Sequence, residues 1–250
     1  MDTELQRANM WKRMSAYLLD LILLSIVTVG FAFLLSAVLG YDGYSTRLEE
    51  KYAEYEAKHH IVFDISAEEY DALTESERQL YETALAEFSA DSEAGYLYSM
   101  LINLTLLIIT FSLLLAYLTL EFALPLAFGN GQTAGKKIFG LAVMRTDHVK
   151  ITPLLLFIRT VLGKYTVETM IPVMILLMIF FGVSGIGGTL IVLALLLVQA
   201  ILLIVTPTRA PIHDLLAHTV TVDLASQRIF ESAEARRAAL SEGERGTASE

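Results

Sequence analysis

Residues 169–206 read TMIPVMILLMIFFGVSGIGGTLIVLALLLVQAILLIVT, thirty-eight positions without one charged side chain. A helix crosses the hydrocarbon core of a bilayer in about 20 residues. This run is too long for one crossing, and Gly182, Gly185, Gly187 and Gly188 near its middle supply an outer turn. It therefore predicts two spans, about 169–184 and 188–206. Two more charge-free runs, 21–39 and 96–120, lie upstream and predict spans at about 14–39 and 97–125. The rest of the composition agrees. The 250-residue chain is 54% hydrophobic and 18% charged, outside the usual range of soluble domains. A soluble enzyme is excluded. With no cysteine, a disulfide framework, a thiol nucleophile and a Cys-based zinc site are excluded too.

Charge sets the expected orientation. Residues 40–95 carry four basic and fifteen acidic side chains, a net −11 within a chain of −10. Arg7, Lys12 and Arg13 precede the first span, and residues 127–168 carry six basic residues. By the positive-inside rule the basic segments are cytoplasmic and the acidic one lies outside. Both termini inside require an even number of crossings, here four. The basic start followed by an apolar run is not a signal peptide, because the run is long and Asp20 interrupts it.

The connections carry their own signals. In the acidic insert 41–95, Ser66-Ala-Glu-Glu69 and Thr74-Glu-Ser-Glu77 fit the capping box, so one or two helices are expected there. Gly129-Asn-Gly-Gln-Thr-Ala-Gly-Lys-Lys137 only superficially resembles a phosphate loop. That pattern needs Gly at 130 and Ser or Thr at 137, where Asn and Lys stand. It reads as an exit turn with Lys136 and Lys137 at the headgroups. Residues 139–144 and Thr219–Val222 alternate and should pair as a small cytoplasmic sheet. Thr152-Pro153 starts a helix over 153–166, read as interfacial before span three. Residues 226–240 suit an exposed helix, and from Ser241 the tail reads as disordered. The expected organisation is a membrane domain over 1–226, with the insert 41–95, and a partly disordered cytoplasmic tail over 227–250.

Three short blocks stand out. In the first, Arg13, Ala16 and Asp20 share one helix face, with Arg13 and Asp20 about 10 Å apart along the axis. The second is Gly131-Gln-Thr-Ala-Gly-Lys-Lys-Ile-Phe-Gly-Leu-Ala-Val143, and the third is Ile212-His213-Asp214-Leu-Leu-Ala-His-Thr219-Val220. They resemble, in order, the R-x-x-A-x-x-x-D, G-x-T-x-G-K-x-x-x-G-L-x-V and H-D-x-x-x-x-T-x-V patterns of the RDD family of multi-pass membrane proteins, named for one Arg and two Asp. Two departures are visible. The outer insert is longer than the family leads one to expect, and His218 stands where the family often has Gly. The resemblance implies a membrane bundle in a bacterial plasma membrane, of poorly defined activity and often suspected of transport; with the four predicted crossings the expected fold is an all-α, four-helix membrane bundle. Cation/proton antiport has been proposed for some members.

Topology brings Arg13, Asp20, Glu121, Arg159 and Asp214 to one layer near the cytoplasmic face. An ionisable residue inside a membrane helix is a candidate site by default. Two roles compete for this set. In a transporter, Asp20 and Glu121 bind a proton or small cation, Arg13 competes as a counter-charge and Asp214 gates the inner mouth. In a non-catalytic scaffold or assembly partner, Arg13 pairs with Asp20 or Asp214 and clamps span one to the C-terminal segment. His213 is expected to cap or hydrogen-bond, because its spacing from His218 and Asp214 does not suit a metal. No catalytic residue, cofactor, metal or nucleic-acid partner is expected. The expected partners are the bilayer, a small cation or proton, and another membrane protein.

Overall fold

The structure, a computed structural model, describes residues 8–180, 182, 185–206 and 210–247. The chain is mostly helical. Three of its helices are long and apolar enough to cross a membrane: α1 (Met10–Leu39), α5 (Ser92–Phe128) and α7 (Pro153–Phe180). A fourth apolar helix, α8 (Gly185–Val205), packs against the C-terminal half of α7. Gly182, in the left-handed region at φ 71°, lies between them. Parts of that turn, like Arg7 and the end of the tail from 248, lie outside the described residues.

The helix over 153–166 is not a separate interfacial element. Thr152 caps its first turn by accepting from the Leu155 N–H, and the helix runs without a break into 171–180. The two stretches join through a π-helical segment, Ile158–Met170, which keeps the backbone hydrogen-bonded across polar sequence. α5 holds a shorter π-helical segment, Leu118–Ala123.

The chain divides into two compact units. The first comprises residues 30–112. Gly40, at φ 69°, turns α1 into α2 (Tyr41–His59). Two short links then give α3 (Ala67–Ala72) and α4 (Glu75–Ala90). Ser66 and Thr74 cap these helices with complete capping boxes, as their sequence requires. Leu48, Phe88, Ala94 and Leu97 form the core, with Tyr52 stacked on Phe88 at 4.5 Å.

The second unit comprises residues up to 29 and from 113 onward. It holds α6 (Ala134–Ile138) and α9 (Ile212–Leu216). β1 (Leu141–Arg145) pairs antiparallel with β2 (Thr219–Asp223), in the register Leu141↔Asp223 to Arg145↔Thr219. The expected sheet is therefore present, and its core is Ala142, Met144, Val220 and Val222. Thr146–His148 makes the turn, and Lys150 returns to bridge Met144. The tail is more ordered than its composition indicates. α10 runs over Ala233–Thr247, after Phe230 has bridged to Val149.

Candidate functional site

The three sequence blocks meet in the second unit. Thr133 caps α6, accepting the Lys136 N–H at 3.3 Å. Its hydroxyl donates to Asp20 Oδ2 at 2.5 Å, and the Gly135 N–H donates to Asp20 Oδ1 at 2.7 Å. A Cβ on Gly135 would collide with the Ala16 carbonyl and stand 2.9 Å from the Asp20 carboxylate. The small residue at 16, the acid at 20 and the glycine at 135 are thus one docking contact between α1 and the exit turn. Lys136 is buried here rather than placed at headgroups. Its Nζ lies 3.2 Å from Thr133 Oγ1 and 3.7 Å from Asp20 Oδ2. Burial, reinforced by the charge of Lys164, lowers its pKa to about 8. Lys137 is the exposed one, over the Phe128 ring at 3.6 Å.

The third block docks on α7. Asp214 Oδ1 accepts from Arg159 Nε at 2.8 Å and from the Thr219 hydroxyl at 2.8 Å, with both members of the ion pair 2% exposed. Burial alone would raise the Asp214 pKa, but Arg159, His213 and Thr219 together hold it well below the usual carboxylate range. His213 Nδ1 faces Glu168 Oε2 at 2.7 Å, and its backbone N–H donates to Glu168 Oε1 at 3.0 Å. Burial, and then the Arg159 charge, lowers the His213 pKa. A Cβ on Gly163 would meet His213 Cβ at 2.5 Å, so only glycine lets α9 lie this close. His218 adopts φ 49°, the left-handed conformation that explains a glycine preference at this turn.

Between these contacts lies Glu121, 5% exposed, on the π segment of α5. Lys164 Nζ donates to its Oε1 at 2.5 Å, and Arg159 NH1 stands 3.9 Å from its Oε2. The Glu121 backbone carbonyl accepts from the Thr160 hydroxyl at 2.8 Å. Oε2 is buried without a hydrogen-bond partner among the described residues.

Asp20, Glu121, Arg159, His213 and Asp214 are all buried in this unit, with partners that differ from those expected. Arg159 is a cation on Asp214, and Lys136 lies beside Asp20, where the sequence reading set Arg13 against one or the other carboxylate. Arg13, Lys136, Arg159 and Asp214 line one cavity of about 640 Å³. Sequence reasoning missed Lys136, Lys164 and Glu168 as members. Arg159 and Lys164 are five apart and diverge on an α-helix. An i→i+5 helix stacks residues five apart, so the π segment turns both inward. Among the described residues, no group of three or more His, Asp or Glu has the geometry to hold a metal.

The RDD family model matches residues 7–218. The chain belongs to the RDD family. No curated protein and no solved structure matches it. The matched span takes in the Arg and both Asp of the RDD pattern and the whole acidic insert, and it ends one residue before Thr219. In this RDD protein the two Asp are not interchangeable. Asp20 is bound mainly by a hydroxyl and a backbone N–H, and Asp214 mainly by a guanidinium.

Proposed function

We propose that this RDD membrane protein exchanges protons for a small cation, with Glu121 as the exchanging carboxylate. The observation that carries the reading is the divided environment of that side chain: one oxygen held by Lys164, the other buried without a hydrogen bond. A buried unsatisfied acceptor is costly unless it has a use. Lys164 and Arg159 serve as built-in counter-charges that an arriving cation or proton displaces. They keep the site neutral when it is empty, as an apolar environment requires. The topology adopted has both termini in the cytoplasm and four crossings, with α7 and α8 as the third and fourth. The net −11 insert, the basic flanks and the Gly182 turn support it. A bacterial plasma membrane is the setting. On this reading the protein is not an enzyme and needs no cofactor.

A second reading, a scaffold or assembly partner for another membrane protein, is favoured by Asp20. Both of its oxygens already accept from Thr133 and Gly135, which leaves it a clamp rather than an exchange site. Flux separates the two. The full chain in vesicles enclosing a pH-sensitive dye is expected to move protons when a sodium or potassium gradient is imposed. Glu121→Gln should abolish that flux at an unchanged level of folded protein. Flux no greater than in protein-free vesicles, or unaffected by Glu121→Gln, would overturn ion exchange in favour of the scaffold.

A further inference from the structure

Ser and Thr hydroxyls on apolar helices commonly donate to the carbonyl one turn back. Ser25 does so to Leu21 at 2.9 Å on α1, and Thr119 to Leu115 at 2.7 Å on α5. Thr28 on α1 does not. Its Oγ1 is buried and has no hydrogen-bond partner among the described residues. It stands one turn beyond Leu24, which packs against Tyr117, Tyr165 and Met170. In that apolar cluster the Tyr117 hydroxyl meets Thr169 Oγ1 at 2.8 Å.

Two helices stack this hydroxyl pair on Glu121. Tyr117 precedes Glu121 by four residues on α5. Thr169 follows Lys164 by five within the π segment of α7, where residues five apart stack. The Glu121–Lys164 and Tyr117–Thr169 pairs are therefore successive rungs between the same two helices. Thr28 continues the file on α1, away from Asp20, which is toward the outer leaflet in the topology adopted above. The file is bounded by Glu121 Oε2 and Thr28 Oγ1, the two buried side-chain oxygens without a hydrogen-bond partner among the described residues.

We propose that the hydroxyls of Tyr117, Thr169 and Thr28 relay protons between Glu121 and the outer side of the membrane. The relay rests on ion exchange at Glu121. Rungs on one helix face are about 6 Å apart, wider than one hydrogen bond, so a water bridges each step between rungs. A hydroxyl has one donor and two acceptor sites, so each can accept from one side and donate to the other. The proton of protonated Glu121 adds to the first water, which gives one of its own to the Tyr117 oxygen. Tyr117 passes its hydrogen to Thr169, Thr169 passes its own through a second water to Thr28, and Thr28 releases its own outward. Each oxygen gains one proton and loses one, and rotation of the O–H groups resets the file.

The test compares two fluxes of the full chain in vesicles. One is proton movement driven by a sodium or potassium gradient. The other is exchange of the driving cation for itself, followed with radioactive sodium or, where potassium drives the flux, radioactive rubidium. That second exchange needs no proton path. Tyr117→Phe keeps the ring that packs edge-on against Tyr165 and removes only the hydroxyl. Tyr117→Phe, Thr28→Val and Thr169→Val should each slow proton movement about tenfold or more, with cation-for-cation exchange as in wild type. Thr169→Ser, which keeps the hydroxyl, should behave as wild type in both. Proton movement undiminished in Tyr117→Phe would overturn the relay and leave exchange at Glu121 standing. Parallel loss of both fluxes would make the hydroxyls part of the cation's own seat or of the fold, and would also overturn the relay. Absence of both fluxes in wild type would overturn exchange at Glu121, and the relay with it.

Discussion

Lys58 and Glu87 meet at 2.5 Å with 58% and 43% of their side chains exposed; Arg159 and Asp214 meet at 2.8 Å with 2% of each exposed. The first pair belongs to the acidic insert and the second to the RDD unit. The same chemistry does different work in the two places. Around Lys58 water screens the charges, and the insert is held instead by Tyr52, Phe63 and Phe88 packed as in any small soluble domain. In the RDD unit each partner has been removed from water, so losing one leaves the other stranded. Ion pairs there determine which helices lie together, while in the insert they decorate a fold that apolar packing already holds.

The sharpest way to break this contrast is Arg159→Leu. It leaves the buried Asp214 carboxylate without its guanidinium and should cost about 3–5 kcal/mol, seen as a collapse of folded yield in the membrane. The double change Arg159→Leu with Asp214→Asn should recover part of that yield, because it removes both charges. Next comes Gly135→Ala. Its methyl would strike the Ala16 carbonyl and the Asp20 carboxylate, so the unfolding midpoint should drop by the equivalent of about 3 kcal/mol.

Lys136 gives a smaller, pH-dependent effect. Its folded pKa is near 8 and its ordinary value is 10.5, so between these the unfolded chain binds more protons. Stability should therefore rise as pH increases from about 8 to about 10.5, on the order of 3 kcal/mol. Lys136→Met should flatten that rise relative to wild type in detergent-solubilised protein. The smallest effect is expected in the insert. Lys58→Gln with Glu87→Gln should leave its thermal unfolding midpoint unchanged within measurement, and a clear drop would show that the exposed pairs matter there after all.

Much of this protein was legible without coordinates. The charge-free runs identified apolar membrane helices because a bilayer imposes length and composition directly on sequence. The capping boxes at Ser66 and Thr74, and the pairing of 141–145 with 219–223, followed from local chemistry and alternation. The three RDD blocks marked segments that meet in the fold. What they do to one another depended on the fold. Whether 153–166 lies flat or continues into 171–180 turned on a π-helical segment, whose widened turn has no signature in residue type. That turn brings Lys164 to Glu121 and Arg159 to Asp214. The left-handed turn at His218 and the fit of Gly135 over Ala16 likewise bring together residues far apart in the chain. Sequence determines which side chains are costly to bury. Only the packed helices decide which partner meets that cost, because an ion pair depends on distances of a few ångströms between segments that sequence order does not relate.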